Sequence, residues 1–262
     1  MAGQPQSKSS EIIDKIAALS DRGDATQMEV FRLKREIDSL AGDSAVRFML
    51  LGMLGAAARD VPSVAKNFEA ALKHHSDIVI LMNYVAALRR VAQFVEGVAV
   101  ARRAFERYSA SPAAYECLLS SMVHSGDFDG FEEATERFLA SYPDYNLDES
   151  QHFAQVLEVR GNLEWLGVDL SIFKRAMACA AETLVQSACF PWASSITVVK
   201  EDGFAYLCVD FKVPGLSEDD FIRVNDAIAD RMADAEDPSA LSSLVFMVST
   251  EDRGWERDVE VA

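Results

Sequence analysis

The sequence predicts a mainly α protein: a solenoid of stacked helical hairpins followed by a small α+β domain of β-β-α-β order. Three observations predict it. Helix-turn-helix segments recur every 33 to 34 residues between Ala45 and Ser141. After Cys189 the pattern changes, with a β-branched run at Ile196 to Lys200 and alternation from Phe204 to Val213. The chain has 262 residues, 50% hydrophobic and 26% charged, enough for one large core or two modest ones.

The first ten residues are polar, contain Gly3 and Pro5, and are expected to form a disordered tail. Residues 11–188 read as the helical array. Glu11 to Ser20 and Thr26 to Leu40 form a first hairpin, joined at Asp21-Arg22-Gly23-Asp24. Three clearer hairpins begin near Ala45, Ile78 and Pro112. The first runs from Ala45 to Ala58 and from Val64 to His74, with Pro62 suited to an opening helical turn. The second uses Ile78 to Val91 and Glu96 to Tyr108. The third uses Ala113 to Ser125 and Gly130 to Ser141, with Gly126-Asp127-Phe128-Asp129 between them and Pro143 closing it.

Equivalent positions of the three match in kind. Leu51, Tyr84 and Leu118 point inward from the first helix of each pair. Val61, Phe94 and Phe128 plug the turn, and Ala71, Ala104 and Phe138 lie on the second helix. A lone hairpin cannot bury such a stripe, whereas stacked hairpins can. Ser150 to Val159 and Leu170 to Gln186 make a last pair, expected to cap the array.

These residues carry a family resemblance. Phe48-x-x-Leu51-Gly52-x-x-Gly55, followed by Val64-x-x-x-Phe68-x-x-Ala71, resembles the tetratricopeptide repeat, as do Gly126-Asp127-Phe128 and Pro143. The resemblance covers about residues 45–143. It implies an α-solenoid whose groove, lined by the first helix of each pair, holds a peptide or helix. By register that groove contains Met49, Met53, Met82, Asn83, Arg90 and His124. Asn83 falls where the family's peptide-carboxylate clamp often has Asn. The clamp's cationic partners are absent at matching positions, so the clamp is not carried over.

Residues 190–262 read as a separate acidic domain. Ile196 to Lys200 is β-branched, Glu201-Asp202-Gly203 signals a hairpin turn, and Phe204 to Val213 alternates. Ser217 is suited to cap a helix whose first turn holds Glu218, Asp219 and Asp220. Asp237-Pro238 should end that helix, and Leu244 to Ser249 should be a third strand.

The formal net charge of −17 argues against general nucleic-acid binding and against anionic lipid surfaces. Residues 190–262 carry six Lys and Arg against sixteen Asp and Glu, more than half of that net charge. The N-terminus lacks the apolar core of a signal peptide, and the longest apolar run, Ala45 to Ala58, is short for a membrane span. A cytoplasmic protein with four reduced thiols is the expectation.

The four histidines form no metal-binding spacing, no nucleotide-binding glycine pattern occurs, and no cofactor is expected. Arg89, Arg90, Arg102, Arg103 and Arg107 make a positive patch in a negative chain, suited to a carboxylate or acidic peptide. The candidate partner-binding residues are therefore Met49, Met53, Met82, Asn83, Arg89, Arg90 and His124. The sequence reads as a non-enzymatic adaptor, chaperone or assembly factor for a protein or peptide partner. Its rivals are an antitoxin-like neutraliser using the acidic domain, and an enzyme with a site between the domains near Trp192 or Tyr206. The edge of the small sheet offers a surface for a homodimer.

Overall fold

The computed structural model describes residues 8–201, 204–234 and 241–250. The protein is mainly helical, with a small three-stranded sheet toward the C-terminus. The helices are α1 (Lys8–Arg22), α2 (Gln27–Asp38), α3 (Ser44–Ala57), α4 (Val61–His74), α5 (Ile78–Arg90), α6 (Phe94–Arg107), α7 (Pro112–Ser125), α8 (Phe131–Ser141), α9 (Gln151–Trp165) and α10 (Leu170–Gln186). Then follow β1 (Ala193–Glu201), β2 (Phe204–Lys212), α11 (Glu218–Ala233) and β3 (Leu244–Ser249). Helix α1 begins at Lys8, so the last three residues of the expected tail are helical. The first seven lie outside the described residues, as do the turn residues Asp202-Gly203 and the breaker Asp237-Pro238.

Local chemistry sets the helix limits. Asp43, Asp77 and Asp169 open α3, α5 and α10 by accepting backbone N–H bonds, and Ser111, Ser150 and Ser217 do so for α7, α9 and α11. Thr26 and Glu29 cap each other's backbone at α2. Helices α3, α5 and α10 end in left-handed residues that are not glycine, Arg59, Ala92 and Ala188. Each such end is closed by paired backbone bonds; Asp60 N–H reaches Gly55 O at 2.9 Å and Gln93 N–H reaches Leu88 O at 2.9 Å. These bonds satisfy the last carbonyls of the helix, which offsets the strain of a positive φ.

Helices α1 to α8 pack as consecutive pairs, and α3 packs on α5 as α5 does on α7; α9 and α10 do not form the expected last pair, since α9 packs on α7 and α10 on α11, α7 and α6. Gly52 is the closest approach within the first pair: a Cβ there would lie 2.5 Å from the Phe68 ring. Phe68 in turn stacks on Tyr84 of the next pair at 4.8 Å, and Tyr115 stacks on Phe138 at 4.2 Å. The inward positions Tyr84 and Leu118 and the turn plugs Phe94 and Phe128 are buried, while Leu51 and Val61 are half-buried. Helices α1 and α2 cover the first end of the array through a separate cluster of Ile12, Ile16, Leu33, Ile37 and Leu50.

The sheet order is β1-β2-β3, with β1 antiparallel and β3 parallel to β2. A parallel neighbour needs a crossover, which α11 supplies. Val209 sits between Ile196 and Phe246, and Leu207 between Val198 and Leu244, giving one apolar face. This face does not stand apart from the helices. Phe211 stacks on Phe94 of α6 at 6.0 Å, and Phe246 on Phe173 of α10 at 6.5 Å. One apolar core runs from Ala45 through the helical pairs to Val248. On the far side of β3, the Asn225 amide accepts from Val248 N–H at 2.8 Å and donates to Val248 O at 3.4 Å, so part of that strand edge is covered by a side chain.

Two substitutions test this packing. Gly52→Val should cost about 1–3 kcal/mol, because the added methyls collide with Phe68. Phe173→Ala should cost about 3–5 kcal/mol and loosen the sheet and helices together. Urea unfolding followed by far-UV and near-UV circular dichroism checks both; unchanged midpoints would contradict the packing described.

Candidate functional site

The sheet meets the helical array along the edge formed by the turns within each pair. Arg59 ends the α3–α4 turn side, Ala92 and Gln93 form the α5–α6 turn, and Gly126 to Asp129 form the α7–α8 turn. Between this edge and the start of β1, the segment Cys189-Phe190-Pro191-Trp192 is held by Trp192 N–H donating to Lys212 O at 3.0 Å. Two recesses open on either side of Pro191 and Trp192. One, of about 220 Å³, is lined by Arg89, Phe94, His124, Trp192 and Ser194. The other, of about 30 Å³, lies near Ser20, Arg59, Arg90 and Pro214.

Arg89 and Arg90 both end α5, where a cation is favoured by the helix dipole. Adjacent helical residues point about 100° apart, so the two guanidiniums enter different recesses. Arg90 donates to Ser20 Oγ at 2.5 Å and pairs with Asp21 at 3.3 Å. The other arginines of the patch are also engaged. Arg102 donates to Asp127 Oδ1 at 3.0 Å, Arg103 to Glu69 at 3.1 Å, and Arg107 to Ser76 Oγ at 2.8 Å. Arg89 alone of the five has no anionic or close hydrogen-bonding partner among the described residues; its one contact is Ser120 Oγ, at 3.4 Å.

Two ionisable groups beside Arg89, Cys117 and His124, are neutral. Its guanidinium is reached by solvent, yet the walls of the recess displace enough water to lower its pKa from the usual value, opposed by Cys117 and helped by Arg90. The Cys117 thiol is pushed up to about 11, chiefly by burial, so it stays protonated beside the guanidinium. His124 is held down at about 4, first by burial and then by the Arg89 charge, with His152 adding a smaller push. Its Nδ1 lies 2.6 Å from Ser120 O. A carbonyl only accepts, so Nδ1 carries the proton and Nε2 is left as a lone-pair acceptor. The Phe94 ring packs against His124 at 6.2 Å, and Trp192, 50% exposed, forms the outer wall. The site thus combines one uncompensated cation, one neutral acceptor and an apolar rim.

The sequence-predicted residues divide between places. Arg89 and His124 come together in the larger recess, and Arg90 lies behind Trp192 in the smaller one. Met49 is 6% exposed and belongs to the core, where its side chain is out of reach of a ligand. Met53 is half-buried at the junction of the two apolar clusters. Met82 is half-buried on α5, and Asn83 turns back to donate to Val79 O of its own helix at 2.8 Å. None of these four lines the Arg89 recess. Phe94 was legible only as a turn plug, and Ser194 carried no signal at all, because each is brought to Arg89 by the docking of the sheet. Trp192 was singled out only as a place for an inter-domain site.

His124 also makes stability pH-dependent. The unfolded chain takes up this proton near 6.5, the folded chain only near 4. Between those values the unfolded state binds more protons, so stability falls as the pH drops, by at most about 1.4 kcal/mol per unit. Urea unfolding at pH 7 and pH 5 should show the natural chain losing about 1–2 kcal/mol more than His124→Gln does. Equal losses would refute the placement of the imidazole.

Among the described residues no group of His, Cys, Asp and Glu has the arrangement to hold a metal ion, and no helix is long and apolar enough to cross a membrane. The chain matches no protein-family model, no curated protein and no solved structure.

Proposed function

We propose that the chain is a non-enzymatic binding protein that holds a protein partner, with the Arg89 recess receiving an acidic group of that partner. The observation that carries this reading is the Arg89 guanidinium, which has no anionic partner among the described residues and only a long hydrogen bond, 3.4 Å to Ser120 Oγ. Arg90, Arg102 and Arg103 pair with carboxylates and Arg107 donates to Ser76 Oγ at 2.8 Å, whereas Arg89 lines a recess open to solvent. A carboxylate entering there would gain a charge-assisted hydrogen bond at a site where no internal anion competes.

Two further features support the reading. The stacked helical pairs, with Gly52 letting Phe68 approach and with aromatic contacts between pairs, are the kind of packing that the resemblance to tetratricopeptide repeats implies. Such arrays hold partners on an extended surface. The four thiols all have raised pKa values, with burial the largest cause, which makes them poor nucleophiles.

The test compares three full-length chains as bait in a nuclease-treated native extract: the natural one, Arg89→Glu, and Lys66→Glu as a control on an exposed face of α4. A partner held by the natural chain and by Lys66→Glu should be lost from Arg89→Glu by roughly tenfold or more in affinity. Circular dichroism verifies that the variant is folded. A partner that binds the folded Arg89→Glu chain equally well would refute the role of the recess.

A further inference from the structure

We propose that the Arg89 recess is also the site of a small free monocarboxylic acid with an apolar body, which would compete there with the partner's acidic group. The inference rests on the reading of this recess as a carboxylate site and adds the class of soluble ligand that fits it.

The charge of the recess selects the head group. One guanidinium lines it, Arg90 being turned to the smaller recess and paired with Asp21, and Cys117 and His124 beside it are neutral at physiological pH. A single positive charge balances one negative charge. A phosphate monoester carries nearly two, and the second would enter a partly dehydrated recess without a partner, at a net cost. A carboxylate, by contrast, matches the planar fork of Arg in both charge and shape.

The walls select the rest of the molecule. Phe94 and Pro191 are apolar, and the half-exposed Trp192 indole closes one side. A flat apolar body lying against Trp192 would remove water from that half-exposed ring. His124 Nε2 adds one acceptor for a donor on the ligand. At about 220 Å³ the recess holds a small acid rather than a folded element. It also lies between the helical array and the sheet, a place where small-molecule sites commonly form.

Three probes share one apolar body and differ in head group: phenylacetate (one negative charge), phenylacetamide (none) and phenyl phosphate (close to two). Each is titrated into the full chain by calorimetry, with the histidine ring signals followed by NMR. Phenylacetate should bind at millimolar or lower concentration, roughly tenfold more tightly than either of the others. It should move the His124 signals, and Arg89→Met should abolish its binding while Lys66→Met leaves it unchanged. Equal or tighter binding of phenyl phosphate, or phenylacetate binding that survives Arg89→Met, would overturn the proposal. So would an absence of phenylacetate binding to the natural chain. In that last case, loss of the partner from Arg89→Glu would still uphold the protein-binding reading, so the two failures are separable.

Discussion

The structure depends on how closely α10 approaches the α7–α8 turn. Gly126 has a positive φ, and a Cβ there would lie 2.9 Å from Met177 and 3.0 Å from Phe173. Only because the position has no side chain can Phe173 wedge between Phe128, at 6.4 Å, and Phe246, at 6.5 Å. That wedge joins the helical pairs to the sheet through one ring. A polar clasp fixes its rim: Asp127, nearly buried, takes Arg102 at 3.0 Å and Lys174 at 3.1 Å, and Lys174 also reaches Asp129 at 2.8 Å. Burial alone would raise the Asp127 pKa, yet these two cations and a backbone N–H lower it, so the carboxylate stays charged. Removing either cation would leave a poorly compensated charge in a dry place.

The Arg89 recess follows from the same docking. With the sheet seated against α6 and α10, Pro191, Trp192 and Ser194 are carried over the end of α5. The guanidinium then sits at the junction of two parts of the chain more than one hundred residues apart, and its surroundings come from both. Arg90, Arg102 and Arg103 each find a carboxylate. Arg89 does not, because α7 presents it with Ser120, Cys117 and His124 and β1 presents it with Ser194. The result is a cationic group lining a recess of neutral side chains in a chain of net negative charge.

Much of the fold was legible in the residues. The 33- and 34-residue recurrence located three helical pairs, because side chains three and four apart on a helix must share a face. Ser217 and the acids after it marked α11, and alternation marked β2, for equally local reasons. Boundaries moved where several weak signals competed: α1 starts at Lys8 and takes in the last three residues of a polar stretch that was expected to be unstructured. The functional residues were less legible. Met49 and Asn83 shared a register with the groove of the resembled family, but register fixes a face only relative to the neighbouring helix. In this chain Met49 turns into the core and Asn83 bonds its own helix.

By itself the sequence determined the helical pairs, the change to a sheet after Cys189, the strongly acidic balance and the arginine-rich stretch of α5 and α6. All of these are set by interactions between residues close in the chain, or by composition. Tertiary structure alone decided that the sheet shares a core with the helices, that Trp192 and His124 line one recess, and that Arg89 enters that recess without an anionic partner there. These outcomes turn on which distant side chains meet once Phe173 and Phe94 find the sheet. Pairings of that range depend on packing in three dimensions, for which spacing along a single sequence holds no record.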